Sequence, residues 1–178
     1  MRLTTIIIII LTLGAAFLYN TIWFQAFFFH KKFYENIYSE PFDVTKKNES
    51  TSIKINYKYN TCYDLSISVP GSKLFHSEGI GKGVLKYQFI SNGRILKEGT
   101  SFQPSKKNLS LYNGRSSVSI LVFDLPFPGA NGDLTLNLKV IDPMIYLKKY
   151  SNNITCQINP DYNPDFNQCY NEDLKITQ

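Results

Sequence analysis

The stretch IKINYKYNTCYDLSISV, Ile53 to Val69, decides the fold class of this chain. Ile53, Ile55, Tyr57 and Tyr59 alternate with Lys54, Asn56 and Lys58. The same parity resumes in Tyr63, Leu65, Ile67 and Val69, set against Asp64, Ser66 and Ser68. Strict alternation with period two marks a strand with one buried face. Asn60-Thr61 marks a bend or hairpin between two such strands, and Pro70-Gly71 ends the run.

Outward from this stretch the pattern continues. Val84 to Ile90 reads as a strand, Ser91-Asn92-Gly93 as a hairpin turn, and Arg94 to Glu98 as the returning partner, because Asn-Gly reaches positive φ at low cost. Phe102 to Asn113 reads as a polar loop with an apolar island at Leu109 and Leu111. Val118 to Phe123 (VSILVF) is a near-continuous apolar run that fits a central buried strand. Leu134, Leu136, Leu138 and Val140 alternate again, and Asn153 to Ile158 gives a last strand. Short strands with Gly, Pro and Asn turns and no amphipathic helix predict a mainly β fold. Its expected form is an antiparallel immunoglobulin-like β-sandwich over 53–158, preceded by one N-terminal hydrophobic helix. The Cys, Trp and Cys spacing of antibody domains is missing, so the likeness concerns architecture alone. Residues 33–52 read as a linker or stalk and 159–178 as an irregular tail.

The N-terminal segment, 1–32, carries one almost unbroken apolar run from Ile6 to Phe29, long enough for a membrane span. No small-residue cleavage pattern follows Ala15-Ala16, which favours an uncleaved anchor over a removed signal peptide. Tyr19 and Trp23 fall where aromatic side chains favour the membrane interface. Arg2 on one flank and Lys31-Lys32 on the other do not settle the orientation.

Aromatic residues reach 15%, and the net charge is a moderate +5. The Lys pairs are scattered and not interleaved with aromatics, which argues against nucleic acid as a partner. The GIGKG segment (Gly79 to Gly83) lacks the GxxxxGK[ST] spacing of a phosphate-binding loop. No CxxC occurs and the two histidines lie far from the cysteines in sequence, so no zinc site or cofactor is expected. Of Cys62, Cys156 and Cys169, the pair Cys156–Cys169 is the disulfide candidate, closing a short loop worth about 3 kcal/mol in the chain-entropy model. A Cys62–Cys169 bridge and a buried free Cys156 are the alternatives. Cys62, opposite in parity to Tyr63, is expected to face outward.

No catalytic constellation emerges. Asp64, Asp124 and Asp142 are explained as solvated strand ends or turns, and His76 as an exposed loop residue. Asp161, Asp165, Glu172 and Asp173 offer oxygens to a calcium ion, without the fixed spacing of a calcium loop. Tyr162, Phe166 and Tyr170 recur every four residues and form a candidate partner-binding aromatic face. Asn48, Asn108 and Asn153 stand in N-x-[ST] patterns that chance explains in so Asn-rich a chain.

The run PFDVTKKNESTSIKINYKYNTCYDLSISV (Pro41 to Val69), with GKGVLKYQFISNGRILKEGT (Gly81 to Thr100) and GDLTLNLKVID (Gly132 to Asp142), resembles an uncharacterised family of bacterial envelope proteins. The resemblance covers about 41–158. It implies a secreted or periplasmic β-sandwich, often lipid-anchored, and brings no function or site residue with it. This chain departs from it in lacking a lipobox cysteine. The combined expectation is a non-enzymatic protein, single-pass in the inner membrane with its C-terminal domain in the periplasm. Such a domain binds a protein partner, one concrete version being an immunity protein against an envelope-targeted toxin. The alternatives are a secreted form after signal cleavage, a structural subunit of a membrane or secretion complex, and a small hydrolase with a loop-built site.

Overall fold

The computed structural model describes residues 3–112 and 114–177, with side chains from Ile8 onward. The chain is mainly β, built of antiparallel sheets behind a helical N-terminus. The apolar run folds as α1 (Leu3–Tyr19) and α2 (Ile22–Phe28), followed by the single turn α3 (His30–Phe33). The expected single helix over Ile6–Phe29 is therefore broken. Asn20 Nδ2 donates to the Ala16 carbonyl at 2.8 Å, and Thr21 Oγ1 caps α2 by accepting from the Phe24 N–H at 3.3 Å. These side chains offer the backbone an alternative to continuing the helix. The two arms, Ile8–Tyr19 and Ile22–Phe28, meet at a bend of 76°. Among the described residues no single helix is long and apolar enough to cross a membrane, although the bent pair qualifies by length and composition.

The strands are β1 (Tyr38–Pro41), β2 (Ser50–Ile55), β3 (Cys62–Pro70), β4 (Val84–Ser91), β5 (Arg94–Thr100), β6 (Leu109–Tyr112), β7 (Arg115–Asp124), β8 (Leu134–Asp142), β9 (Thr155–Pro160), β10 (Tyr162–Asn163) and β11 (Gln168–Cys169). A five-stranded sheet runs in the order β1-β9-β3-β7-β6, a four-stranded sheet in the order β2-β8-β4-β5, and β10 pairs with β11 as a short ribbon. Alternate residues of both large sheets meet in one core. Tyr63, Leu65 and Ile67 come from β3, Phe89 and Leu85 from β4, and Leu136 and Leu138 from β8. The β4–β5 hairpin turns at Asn92-Gly93, whose positive φ angles of 50° and 75° match the expected reversal.

Two expectations change here. Residues 33–52 are not a stalk: β1 pairs with β9 in the register Tyr38↔Ile158, β2 begins at Ser50, and Phe42 and Val44 are buried. Reading the segment by its polar turn residues overlooked these apolar anchors. Second, Asn60-Thr61 joins no hairpin. β2 belongs to the four-stranded sheet and β3 to the five-stranded one, so 56–61 carries the chain from one to the other. The VSILVF run is the expected buried strand, lying between β3 and β6, but its parity changes within it. The register shifts between Leu65 and Ser66 opposite Leu121 and Ser119, which leaves Ile120 as the extra residue. Such a bulge reverses the parity of a strand. Ile120 and Leu121 thus both enter the main core, while Val122 joins Cys62, Cys169 and Leu174 in a second cluster.

That second cluster corrects the reading of the tail. Ile176 N–H donates to the Val122 carbonyl at 2.9 Å, and Leu174 is buried. The tail folds back over the five-stranded sheet and covers Cys62, which is buried and not outward-facing in solvent. The disulfide joins Cys62 to Cys169, with Cα atoms 6.2 Å apart, and Cys156 is a buried free thiol. Cys156 faces the core from β9 beside Ile158, so it cannot reach Cys169 on the other side of the sheet.

Candidate functional site

The outer face of the five-stranded sheet carries the polar parity of β3, β7 and β9: Asp64 and Ser68, Arg115 and Ser119, Gln157 and Asn159. Over most of an antiparallel sheet such residues would meet water. Here three walls rise around them. The tail supplies Asp161, Tyr170 and Asn171, the segment after α2 supplies His30 and Tyr34, and β6 with the turn before it supplies Asn108 and Tyr112. The result is a groove of about 560 Å³ with a polar floor.

Most charges bordering the groove are already engaged. Arg115 lies across three strands, donating to Ser68 Oγ and the Ser68 carbonyl and reaching the Asn153 carbonyl and Thr155 Oγ1, all at 3.0–3.1 Å. Lys107 pairs with Asp173. Asp161 is buried and holds the tail: Oδ2 accepts the Asn171 N–H at 2.9 Å and Oδ1 accepts from Asn171 Nδ2 at 2.8 Å. Tyr34 donates its hydroxyl to the Tyr162 carbonyl, and burial pushes its pKa well above the ordinary phenol value.

Two buried acceptors are different. Asp64 is 5% exposed, and its Oδ2 accepts from Ser119 Oγ at 2.9 Å, while Oδ1 has no hydrogen-bond partner among the described residues. Asn108 is 7% exposed, and its Nδ2 donates to Asn171 Oδ1 at 3.2 Å, while its own Oδ1 is likewise unpartnered. Both residues line the groove. Burial, then the neighbouring Asp161, raises the Asp64 pKa well above the usual carboxylate range. Burial raises that of Asp161 to about 6, against the opposing pull of the Asn171 hydrogen bonds.

Asp64 is thus no solvated strand residue, contrary to the expectation from its alternating position. Asp124 does lie partly exposed at a strand end, paired with Lys175 at 3.0 Å, and His76 ends a 3-10 turn away from the groove. The acidic tail residues do not gather around one ion. Asp161 binds Asn171, Glu172 accepts from the Cys169 N–H, Asp173 pairs with Lys107, and Asp165 stands exposed. Cys62, Asp161 and Cys169 place ligand-type atoms within 4.8 Å of one another, but both sulfurs are spent in the disulfide and offer no thiolate. Burial raises the pKa of the Cys156 thiol, which keeps it unreactive.

The three tail aromatics do not share one face, because 162–169 is a β ribbon and not a helix. Tyr162 is buried against Phe33, Phe166 is 71% exposed, and Tyr170 stands at the groove rim, 6.3 Å from the Tyr34 ring. Of the ends of the expected anchor run, Ile6 lies in α1 and Phe29 caps α2, with Tyr19 and Trp23 half exposed on either side of the bend. In the sequence Asn108 stands out only through a glycosylation pattern that chance explains. Its burial excludes it as an acceptor of a bulky glycan in the folded chain.

The carboxylates give a pH prediction. A carboxyl group whose folded pKa is raised binds its proton more tightly in the native state, so stability falls as pH rises from the unfolded value near 4 toward the folded one. For Asp161 that window runs from near 4 to about 6. Asp64 contributes in the same direction. Unfolding free energy is therefore expected to drop between pH 4 and pH 7, and Asp64→Asn to flatten the decline. At pH 7 the substitution is expected to raise stability by about 1–3 kcal/mol, the scale of an unsatisfied buried acceptor. Denaturant titrations across that pH range check it, and an unchanged slope in the variant would refute it.

The chain therefore belongs among mainly β proteins that carry a walled polar groove on one sheet. No family model matches it, and no curated protein does. A crystal structure of a protein from Sulfurospirillum deleyianum is similar at 7% identity, with a TM-score of 0.49, over 71% of this chain and 98% of that one.

Proposed function

We propose that this chain is a non-enzymatic envelope protein. Its immunoglobulin-like β-sandwich stands in the periplasm, is held to the inner membrane by the N-terminal helices, and binds a protein partner. An immunity role against an envelope-targeted toxin is one form this binding takes. The observation that carries the reading is the open edge beside the groove: β6 is an edge strand, and its Leu111 and Tyr112 are 54% and 56% exposed. Edge strands and exposed aromatic groups next to a groove suit the capture of a protein segment.

Two further features support the location. From Ile8 onward the apolar side chains of α1 stand exposed, Ile10 at 63% and Phe17 at 75%. No single helix among the described residues is long enough for a span, but α1 and α2 together qualify by length and composition across their 76° bend. The disulfide suits an oxidising compartment. A hydrolase is less well supported, because both oxygens of Asp161 are tied to Asn171 and Asp64 Oδ2 to Ser119.

Affinity capture from detergent extracts, with Leu111→Glu and Tyr112→Ser as the control chain, tests the reading. A protein retained by the wild type and lost by the control is expected. Retention of no protein, or equal retention by both, counts against it. A C-terminal reporter active only outside the cytoplasm is expected to be active.

A further inference from the structure

We propose that the floor of the groove is a subsite for one basic side chain, lysine or arginine, presented by the partner protein. This rests on the protein-binding reading above and sharpens it. Asp64 Oδ1, on β3, and Asn108 Oδ1, in the turn before β6, are two buried acceptors lining one groove that lack donors among the described residues. A buried polar atom is ordinarily hydrogen-bonded, so two orphans in one groove point to donors arriving from outside.

The charges around them select the kind of donor. Asp64 and Asp161 both line the groove, and the negative charge of Asp161 opposes ionisation of Asp64. The nearby cations are committed, Lys107 to Asp173 and Arg115 to Ser68, Thr155 and two carbonyls. The carboxyl pair therefore faces the groove with neutral donors, Ser119 and Ser66 beside Asp64 and Asn171 beside Asp161. A cationic donor satisfies an orphan oxygen and compensates the charge in one step. A neutral hydroxyl does only the first. An ammonium or guanidinium is favoured over a metal ion, because the grouped ligand atoms found among the described residues do not include Asp64. Guanidinium, with its planar fork of donors, can serve two acceptors together. Tyr34 and Tyr170 at the rim give the stem of such a side chain an aromatic wall.

The test uses the full chain in detergent micelles. The probes are blocked pentapeptides with arginine, lysine, citrulline or glutamate between glycines, and a chito-oligosaccharide. Binding is read by chemical-shift changes. The arginine and lysine peptides are expected to bind at least tenfold more tightly than the citrulline and glutamate ones. Asp64→Asn is expected to weaken the arginine peptide at least tenfold and Asn108→Ala about threefold, with His76→Ala unchanged. Either variant that keeps its fold by circular dichroism suffices. Equal binding of arginine and citrulline peptides, or full binding by both groove variants, overturns the proposal. Tighter binding of the oligosaccharide than of the arginine peptide also overturns it and assigns the groove to a glycan. A captured partner with no arginine preference ends the subsite while leaving the binding role. Arginine preference without a captured partner does the reverse.

Discussion

Cys62→Ala combined with Cys169→Ala is expected to lower the unfolding free energy by about 3–5 kcal/mol. The bridge spans a sequence separation of 107 residues, so it closes most of the domain into one loop. In the chain-entropy model a loop of about 100 residues is worth about 4.7 kcal/mol. A further loss follows because Cys62 and Cys169 are half of the small cluster, with Val122 and Leu174, that seats the tail on the sheet. The tail bears Asp161, Tyr170 and Asn171, so its release also removes one wall of the groove. Urea titration of the variant, and of the wild type with and without reductant, gives the measurement. Cys156→Ala is the comparison, since it deletes only a buried thiol from the core and is expected to cost about 1 kcal/mol. Equal losses from the two variants would mean that Cys62 and Cys169 are not paired in the folded protein.

Phe33→Ala is expected to weaken the docking of the helical segment by about 3–5 kcal/mol, the usual range for deleting a buried phenyl ring. Phe33 is 1% exposed, its ring centre lies 4.5 Å from that of Tyr59, and it shares a cluster with Ala26 and Tyr162. That cluster is separate from the main core, so the loss is local: the sheets stay folded while residues 30–37 open more often. A cost of 3 kcal/mol is an increase of more than a hundredfold in the open population. Limited proteolysis in detergent should cut the variant between α2 and β1 at a rate raised by about that factor, with cleavage elsewhere unchanged. Identical cutting of both chains would restore the picture of 33–52 as a loose stalk. The groove should respond too, because His30 and Tyr34 form its wall from this segment.

Both results bear on how the site is built. The groove floor belongs to the sheet, but two of its three walls come from the two ends of the chain, one held by a disulfide and one by a buried phenylalanine. Asp64 lies on the floor. Its burial destabilises the fold at neutral pH, and a protein that tolerates such a group commonly gains a site by it.

The alternation from Ile53 to Val69 and from Leu134 to Val140, with the Asn92-Gly93 turn, determined by itself that the chain is mainly β and antiparallel. That information is local, since period two and positive φ are properties of neighbouring residues. The apolar N-terminal run was equally plain, although its division at Asn20-Thr21 depended on side chains competing for the backbone. Tertiary structure decided the rest. Which strands share a sheet, and which cysteine meets Cys169, depend on how distant segments pack. The same holds for Asp64, whose polar parity marked it as outward-facing and hence wet. The walls raised over the sheet, the tail among them, take that aspartate out of water, and no pattern within β3 records their arrival.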